Sequence, residues 1–412
     1  MNTTPAPLHR GPFAALGFAA YLGTSWTWVI GMLFPALILR DYGLWGFVAF
    51  AVPNVLGAAA MGFVLTPERA RRILEKHKTA CEVFSTTTLF FHISVIAFFF
   101  PRWFGPSAWL IVALSAVACL VAQRLWGTRG VWLTSALVWG LSIAMFVKGM
   151  NTEGAWAGAS WDMGRLGGKG LFAFIPASGL GFALCPYLDL TFLKARAETE
   201  KNTGRWAFAL GFGVVFCAMI FFTVCYGGQL LPFFEVLPEH AVEPVLPPVW
   251  LTILMAHLPV QVGLTLAWHG TELVRSETSR QNEKKRQSLL MRFLSVSFLF
   301  IIGWIHSDHN GTSHFGMLDT EGIYRSILLL YGTALPAYVL LKMIPTHTPE
   351  RVKTCAFVSA SLIAYPLAWG AFVLNHHWLI IPCAGVLTLA FTAVQCWPQR
   401  ALSASSGDDR VS

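Results

Sequence analysis

An aspartate lies inside an apolar segment, where an ionisable side chain is rare and often functional. Asp189 lies in the stretch 168–196, which is long and apolar enough to cross a bilayer. Two glycines weaken a helix here, and Pro186 lacks the backbone N–H that a helix needs. Lipid offers freed carbonyls and a carboxylate no partner, so such groups face protein or a water-filled cavity. The stretch is predicted to be an interrupted membrane helix that binds a ligand. The alternative is a proline kink, with the carboxylate paired to Lys194 or Arg196 near the cytoplasmic end.

A second segment rich in small and polar residues lies near the N-terminus. Its sequence is GTSWTWVIGMLFP, and its centre consists of Gly23, Thr24, Ser25, Trp26, Thr27 and Trp28. An interruption here would turn backbone and hydroxyl groups toward a ligand. The alternative is a small-residue packing face whose hydroxyls bond to their own helix.

A polar stripe follows one face of a later apolar segment, VWLTILMAHLPVQVGLTLAWHGTELVR. Four polar residues recur at every fourth position and an acid follows them: His257, Gln261, Thr265, His269 and Glu272. This spacing places the five residues on one slowly drifting face of a helix, which must turn toward the interior of the bundle. The functional interpretation is a helix that lines a solute or ion path, with His269 and Glu272 as proton carriers. The alternative is hydrogen bonding between helices, with Glu272 paired to Arg275 at the cytoplasmic interface.

Other polar residues also interrupt the apolar runs. One cluster could coordinate a cation or a polar solute through oxygen, although Ser and Thr more often bond to their own helix: Ser85, Thr86, Thr87, Thr88 and His92. Three tyrosines recur at every seventh position of a later run, as a gate or a packing face: Tyr324, Tyr331 and Tyr338. Asn54 is expected to form hydrogen bonds between helices.

A histidine-rich loop, HSDHNGTSH, carries residue types that bind metals. The candidate ligands are His306, Asp308, His309 and His314. Their spacing matches no defined metal site, so a solvated loop is the preferred interpretation and no metal site is predicted.

The composition identifies the elements that must position these residues. The chain has 412 residues, of which 55% are hydrophobic and 12% charged, and its mean hydropathy is +0.58. These values exclude an ordinary soluble domain. We expect an all-α polytopic membrane protein of about twelve helices, because the apolar runs each approach the ~20 residues that a bilayer requires. The runs are 12–38, 42–65, 82–101, 106–126, 130–149, 169–193, 206–232, 248–273, 288–306, 322–343, 353–374 and 378–397.

Lys and Arg are concentrated in alternate loops. The loops PERARRILEKHK and RSETSRQNEKKRQ are basic, whereas LPFFEVLPEHAVEPVLPP is not. The positive-inside rule then places both termini in the cytoplasm, with 1–11 as an N-terminal segment and 398–412 as a disordered tail. A cell membrane is the expected location, and the bacterial inner membrane is favoured. The basic loops account for the net charge of +8, so the expected partners are the bilayer and a small solute, with no nucleic acid.

The two interrupted segments occupy matching positions. They are the first and sixth apolar runs, so they cross the membrane in opposite directions. Interrupted helices at corresponding places of two halves are typical of inverted-repeat transporters. This pattern predicts a first repeat at 12–149, a second repeat at 169–343 and two further helices at 353–397.

The chain resembles the amino acid–polyamine–organocation transporters, most closely their sodium:solute symporter branch. The resemblance rests on GTSWTWVIGMLFPALILRDYGLWGFVAFAVPNVLGAAAMGFVL in runs 1 and 2 and on GFALCPYLDLTF in run 6. It implies a leucine-transporter-like fold of two inverted five-helix repeats, with the breaks at 23–27 and 178–187 lining the substrate site. The sodium site of that family usually includes a Ser/Thr pair on helix 8, whereas Thr265 and Thr271 are not adjacent. The motifs of the metal-transporting branch are also absent from GTSW and CPY.

Together these features predict a secondary active transporter, an ion- or proton-coupled symporter of a small polar organic solute. The expected substrate-binding residues are Gly23, Thr24, Ser25, Trp26, Thr27, Trp28, Ser178, Gly181, Cys185, Tyr187, Gln261 and Thr265. The expected ion-coupling residues are Asp189, His269, Thr87 and Thr271. No cofactor is expected beyond a coupling ion, Na⁺ or H⁺. Two alternatives remain: a non-transporting receptor with a transporter fold, and a membrane-embedded enzyme that uses His92, Asp189 and His269.

Overall fold

The computed structural model describes residues 8–26, 29–104, 107–151, 155–156, 158–230, 249–278 and 320–397. Regular structure in these ranges is helical, apart from an isolated bridge between His9 and Thr199. Eight helical stretches of the described chain are long and apolar enough to cross a membrane. These findings agree with an all-α, multi-pass membrane protein. The predicted ninth run, the histidine-rich loop, Thr27 and Trp28 lie outside the described residues.

A break divides the first predicted run, and a kink joins this run to the second. Helix α1 covers Gly11–Ser25, a π-helical turn covers Val29–Leu33, and α2 covers Phe34–Val64. Gly43 bends α2, with φ of 62° and ψ of −162°. A Cβ at this position would overlap the carbonyl oxygen of Asp162, so only glycine fits here. The kink therefore marks the boundary that the sequence places between runs 1 and 2.

The next helices lead to the second break. They are α3 (Pro67–Lys76), α4 (Lys78–Phe104), α5 (Ser107–Trp126), α6 (Thr128–Met150), α7 (Gly167–Leu184) and α8 (Leu190–Glu198). The short α3 lies before the predicted third run, and its N-terminal N–H of Arg69 donates to the Thr66 hydroxyl at 3.2 Å. A 3-10 turn, Cys185–Leu188, separates α7 from α8, as expected within run 6.

The remaining helices complete the described chain. They are α9 (Lys201–Leu210), a π-helical segment (Gly211–Phe216), α10 (Cys217–Leu230), α11 (Val249–Thr278), α12 (Thr320–Leu329), a π-helical segment (Leu330–Ala334), α13 (Leu335–Tyr338), a π-helical segment (Val339–Met343), α14 (Glu350–Phe372), a 3-10 turn (His377–Leu379) and α15 (Ile380–Gln395).

Contacts at the predicted cytoplasmic side join α1, α2, α8 and α9. The N–H of His9 donates to the Glu198 carbonyl at 2.8 Å, and the N–H of Glu200 donates to the His9 carbonyl at 3.0 Å. Arg196, buried in α8, donates from Nε to the carbonyl of Leu65 at the end of α2, at 2.8 Å. These bonds tie the inner ends of the two interrupted helices to their following helices, so the four elements form one packed unit.

Candidate functional site at two helix breaks

The break in run 6 lies where proline and aspartate follow each other closely. Helix α7 continues through Pro176 and ends at Leu184, and Pro186 occupies the start of the 3-10 turn. Asp189 then adopts an extended conformation, with φ of −71° and ψ of 117°, before α8 begins. The interruption predicted from the sequence is present, and it lies on the C-terminal side of the glycines rather than at them.

The break in run 1 begins at Trp26. This residue leaves the helix, with φ of −108° and ψ of 7°. Just before it, the Thr24 hydroxyl donates to the Ala20 carbonyl at 2.7 Å and the Ser25 hydroxyl donates to the Leu22 carbonyl at 3.0 Å. Both hydroxyls therefore bond to their own helix, as the alternative interpretation has it.

The two breaks meet in the protein interior. The indole Nε1 of Trp26 donates to Oδ2 of Asp189 at 2.7 Å, and the two residues are 3% and 0% exposed. The indole ring stacks on Phe84 at 6.2 Å and packs against Phe192 at 5.2 Å between ring centroids. The aromatic contacts hold the indole in one orientation, so its N–H points at the carboxylate.

Asp189 also caps the helix that follows it. Its Oδ1 accepts hydrogen bonds from the N–H of Thr191 at 2.7 Å, the hydroxyl of Thr191 at 2.6 Å and the N–H of Phe192 at 3.4 Å. A carboxylate at this position satisfies N–H groups that lack helical partners and lies at the positive end of the α8 dipole.

The carboxylate does not pair with either basic residue proposed from the sequence. Lys194 pairs with Glu198 at 3.4 Å, and Arg196 donates to the carbonyls of Leu65 and Thr199. The proline-kink alternative was therefore wrong about the partners of Asp189. Both basic residues lie beyond the first turn of α8, whereas the carboxylate of Asp189 accepts hydrogen bonds from that first turn and from Trp26.

His269 reaches the same centre from α11. Its Nε2 lies 4.0 Å from Oδ2 of Asp189, and its Nδ1 lies 3.1 Å from the hydroxyl of Ser85 in α4. The imidazole is fully buried, and its Nε2 hydrogen-bonds to no described residue. Four elements thus contribute to one polar centre: α1 through Trp26, the start of α8 through Asp189, α11 through His269, and α4 through Ser85.

The N-terminal part of the polar stripe on α11 makes different contacts. The Nε2 of Gln261 donates to the hydroxyl of Ser142 in α6 at 3.1 Å, and Nε2 of His257 lies 2.7 Å from the same hydroxyl. The Thr265 hydroxyl donates to the carbonyl of Gln261 at 3.2 Å. His257 lies about 18 Å from His269 along the helix axis, from a rise of ~1.5 Å per residue. The stripe therefore divides into an interhelical contact with α6 and a centre at Asp189.

The other predicted site residues are scattered around the breaks. The Ser178 hydroxyl donates to the Ala49 carbonyl at 3.0 Å, and Gly181 packs against the backbone of Gly332. Cys185 is buried at the break, whereas Tyr187 and Thr87 are half-buried. Gly23 packs against the π-helical segment that follows α9, and Thr271 donates to the Ala267 carbonyl at 2.7 Å. None of these contacts reaches Asp189 in the described residues.

Two further predictions from polar residues can be compared with the structure. The Nδ1 of His92 lies 2.7 Å from the carbonyl of Thr88 in its own helix. Asn54 is fully buried, yet its amide forms no hydrogen bond within the described part of the chain. The expected interhelical bond of Asn54 is therefore wrong for these residues.

The sequence reasoning missed several aromatic residues of the site. Phe84 and Phe192 pack against Trp26, but nothing distinguishes them among the 32 phenylalanines of the chain. Tyr331, one of the seven-spaced tyrosines, lies within hydrogen-bond distance of the Thr88 hydroxyl at 2.9 Å and edge-on to Phe84 at 5.4 Å. Its spacing indicated a shared face but did not identify α4 as its partner.

A small cavity lies on the predicted outer side of the described fold. It has a volume of about 70 Å³, lies between α2, α7 and α12 and is lined by Phe34, Phe174, Phe182 and Arg325. Asp41 also lines this cavity and pairs with Arg40 at 2.8 Å, with Arg165 at 3.2 Å and with Arg325.

Two larger clefts lie on the predicted cytoplasmic side. Their volumes are about 230 Å³ and about 240 Å³, and both are lined by Lys194, Glu272 and Arg275. One cleft reaches Tyr21 and Trp268, and the other reaches Leu190, which directly follows Asp189. The cytoplasmic clefts therefore reach residues next to the centre.

Comparison with known proteins connects this chain to one class of fold. No protein-family model matches the sequence, and no curated protein is similar to it. Among solved structures, a Na⁺-coupled sialic acid symporter in its substrate-bound outward-open state is similar, with a TM-score of 0.53. The match covers 94% of this chain and 90% of the symporter, at 12% sequence identity. The two proteins share a fold.

Proposed function

We propose that this protein is a secondary transporter that carries a small polar organic solute across the cell membrane by alternating access. The observation that carries the proposal is the contact between the two breaks, where Trp26 Nε1 lies 2.7 Å from Asp189 Oδ2 in the buried interior. Broken membrane helices that meet away from lipid typically form a binding site for a solute or ion. The shared fold with a Na⁺-coupled symporter supports the same function.

The breaks offer hydrogen-bond acceptors to such a solute. Helices α1 and α7 both end at this centre, at Ser25 and Leu184. The last carbonyls of a helix lack helical partners, and its C-terminal end carries partial negative charge. The N-terminus of α8 is already capped by Asp189. The partial negative charge of these two helix ends therefore favours a solute with an amino or hydroxyl group over one that presents an anionic group here.

Alternating access would move the unit of α1, α2, α8 and α9 against the other helices. Bonds at His9, Arg196 and Glu200 support movement of this unit as one body. The clefts that reach Tyr21 and Leu190 support release of the solute toward the cytoplasm in this conformation. Binding from the outer side would require the opposite movement of the unit.

Solute exchange in proteoliposomes tests the proposal. Purified protein would be screened for counterflow of radiolabelled amino acids, sugars, nucleobases and sialic acid, the last because the similar structure is that of a Na⁺-coupled sialic acid symporter. We expect saturable exchange of at least one solute. Trp26→Ala should lower this exchange by about tenfold or more, whereas Trp206→Ala, at a 63% exposed tryptophan, should not.

Two results would count against transport. Intact, folded protein that exchanges no solute of the screen would contradict the proposal. Saturable binding of a solute without flux would instead indicate a receptor that retains a transporter fold. Size-exclusion profiles and melting curves of both tryptophan variants would show that a loss of exchange does not reflect unfolding.

A further inference from the structure

One buried nitrogen at the centre has no hydrogen-bond partner in the described chain. Oδ1 of Asp189 accepts the bonds of the helix cap, Oδ2 accepts the indole N–H of Trp26, and Nδ1 of His269 is paired with Ser85. The Nε2 of His269 remains, 4.0 Å from Oδ2 of Asp189 in a fully buried site. Buried polar atoms are normally hydrogen-bonded, and those without a partner often mark a functional group.

Protonation would give this nitrogen its partner. At 4.0 Å the two atoms lie too far apart for a hydrogen bond, which requires about 3 Å. A doubly protonated imidazole donates from both nitrogens, so Nδ1–H would bond to Ser85 while Nε2–H turns to Asp189. Such a charge-assisted bond would draw α11 toward the start of α8 by about 1 Å. Loss of the proton would release the two elements again.

We propose that one proton, held between His269 and Asp189, couples solute movement to the proton gradient; this inference rests on the transporter function proposed above. In the proton-bound state, the pair is an imidazolium and a carboxylate joined by a hydrogen bond. In the proton-free state, it is a neutral imidazole and a carboxylate. Each cycle therefore takes up one proton on one side and releases the same proton on the other.

The inner clefts supply a route for that proton. Both clefts are lined by Glu272, which lies three residues after His269 on α11, about 4.5 Å along the axis. Its side chain is 12% exposed and pairs with Arg275 at 2.6 Å. A carboxylate at the cleft wall can accept the proton from the buried pair and pass it to water. Glu272 is thus the exit carrier, in addition to being part of an interfacial ion pair.

Other titratable groups lie near His269 and Asp189. Those whose interactions reach the pair or its immediate neighbours are Tyr21, Cys81, Glu82, His92, Cys185, Tyr331 and Glu272. Glu82 accepts from the hydroxyl of Ser276, and Tyr331 lies beside Thr88.

The donors and acceptors around Asp189 favour a proton over Na⁺ as the coupling ion. Hard cations prefer oxygen ligands, whereas Asp189 faces an imidazole and an indole.

Solute accumulation driven by ion gradients provides the first test. Proteoliposomes would receive a pH gradient or a Na⁺ gradient, and accumulation would be compared with equilibrium exchange of the same solute. We expect the pH gradient to drive accumulation in the wild type. For His269→Gln and Asp189→Asn, we expect the ratio of pH-driven accumulation to the exchange measured for the same variant to fall by about tenfold or more. Asn remains a good helix cap, so Asp189→Asn removes charge while preserving the start of α8.

The matched control is His257→Gln. His257 is also a buried histidine of α11, but it contacts Ser142 rather than Asp189. This variant should accumulate solute as the wild type does. Exchange without pH-driven accumulation in the wild type would overturn the inference while leaving the transporter function intact. The absence of any exchange would contradict the proposed function itself.

A measurement of the histidine requires no solute. The ¹⁵N NMR spectrum of histidine-labelled protein in detergent would be recorded between about pH 5 and about pH 9, with His269 assigned from the His269→Gln variant. We expect the wild-type signal to show a protonated His269 at the acidic end, and Asp189→Asn to require a lower pH for the same change because the attractive charge is gone. A His269 that stays neutral throughout, or a midpoint that Asp189→Asn leaves unchanged, would refute the inference. His257→Gln should leave the signal unaltered.

Discussion

The hydrogen bond between Trp26 and Asp189 gives a prediction about stability that does not depend on a substrate. Trp26→Phe removes the indole N–H but retains a ring between Phe84 and Phe192. A hydrogen bond to a charged group contributes about 1.5–3 kcal/mol. Because Asp189 keeps the bonds of its helix cap, we expect a loss near the lower limit, about 2 kcal/mol.

Comparison with Trp26→Ala separates the bond from the packing. Alanine removes both the N–H and a side chain that is only 3% exposed, and such truncations cost about 3–5 kcal/mol. Trp206→Phe is the matched control, because this tryptophan is 63% exposed and its substitution should change stability by less than about 0.5 kcal/mol. The expected order of destabilisation is therefore Trp26→Ala, then Trp26→Phe, then Trp206→Phe.

Unfolding by SDS in mixed micelles, followed by circular dichroism, would measure these differences. A double-mutant cycle with Asp189→Asn isolates the pair, and we expect a coupling energy of about 1–2 kcal/mol. Two results would refute the reasoning: a Trp26→Phe protein as stable as the wild type, or a coupling energy near zero. Either would mean that the two breaks are not held together by this bond.

Two further substitutions test the fold around the site. Gly43→Ala should destabilise the protein by about 1–3 kcal/mol, because the residue has φ of 62° and a Cβ would overlap Asp162, whereas Gly140→Ala in the open middle of α6 should be neutral or stabilising in the same SDS titration. Burial lowers the pKa of His77 to about 4 from its ordinary 6.5, so the unfolded chain binds more protons between these values and stability should fall as pH drops through them. His77→Gln, which also alters the contact with Tyr338, should flatten that pH dependence of unfolding, and an unchanged slope would contradict this assignment.

The helical membrane architecture and the positions of the breaks could be predicted from the sequence. Apolar length fixes where the chain can cross lipid, because lipid leaves the backbone few alternatives to a helix. Pro186 must interrupt a helix, since it lacks the N–H of the ladder. The kink at Gly43 is different, because the positive φ is required by the approach of Asp162, a contact distant in sequence.

The partners of the site residues were harder to predict. Periodicity places His257 and His269 on one face of α11, but it contains no information about which neighbour each of them meets. Ser142 of α6 meets one histidine and Ser85 of α4 meets the other. The stripe therefore makes two sets of contacts that a single-helix pattern cannot separate.

The sequence next to Asp189 contains a local signal for an N-cap, which the prediction of its charged partners did not use. An acidic residue just after a proline turn and just before a new helix is typical of an N-cap. Attention to nearby bases instead favoured Lys194 or Arg196 as partners. The local backbone geometry decides the outcome, because the carboxylate of an N-cap turns back onto the first turn of its own helix.

The two oxygens of Asp189 reconcile a structural role with a coupling role. Oδ1 is committed to the start of α8, so the carboxylate is fixed to this helix. Oδ2 faces Trp26 of the other break and, across a gap of 4.0 Å, His269 of α11. The cap fixes the carboxylate in position, whereas in the proposed coupling the gap makes its contact with His269 depend on a proton. Capping α8 does not by itself require a histidine opposite Asp189. Because the cap fixes the carboxylate to α8, a new hydrogen bond from His269 would act on the whole helix.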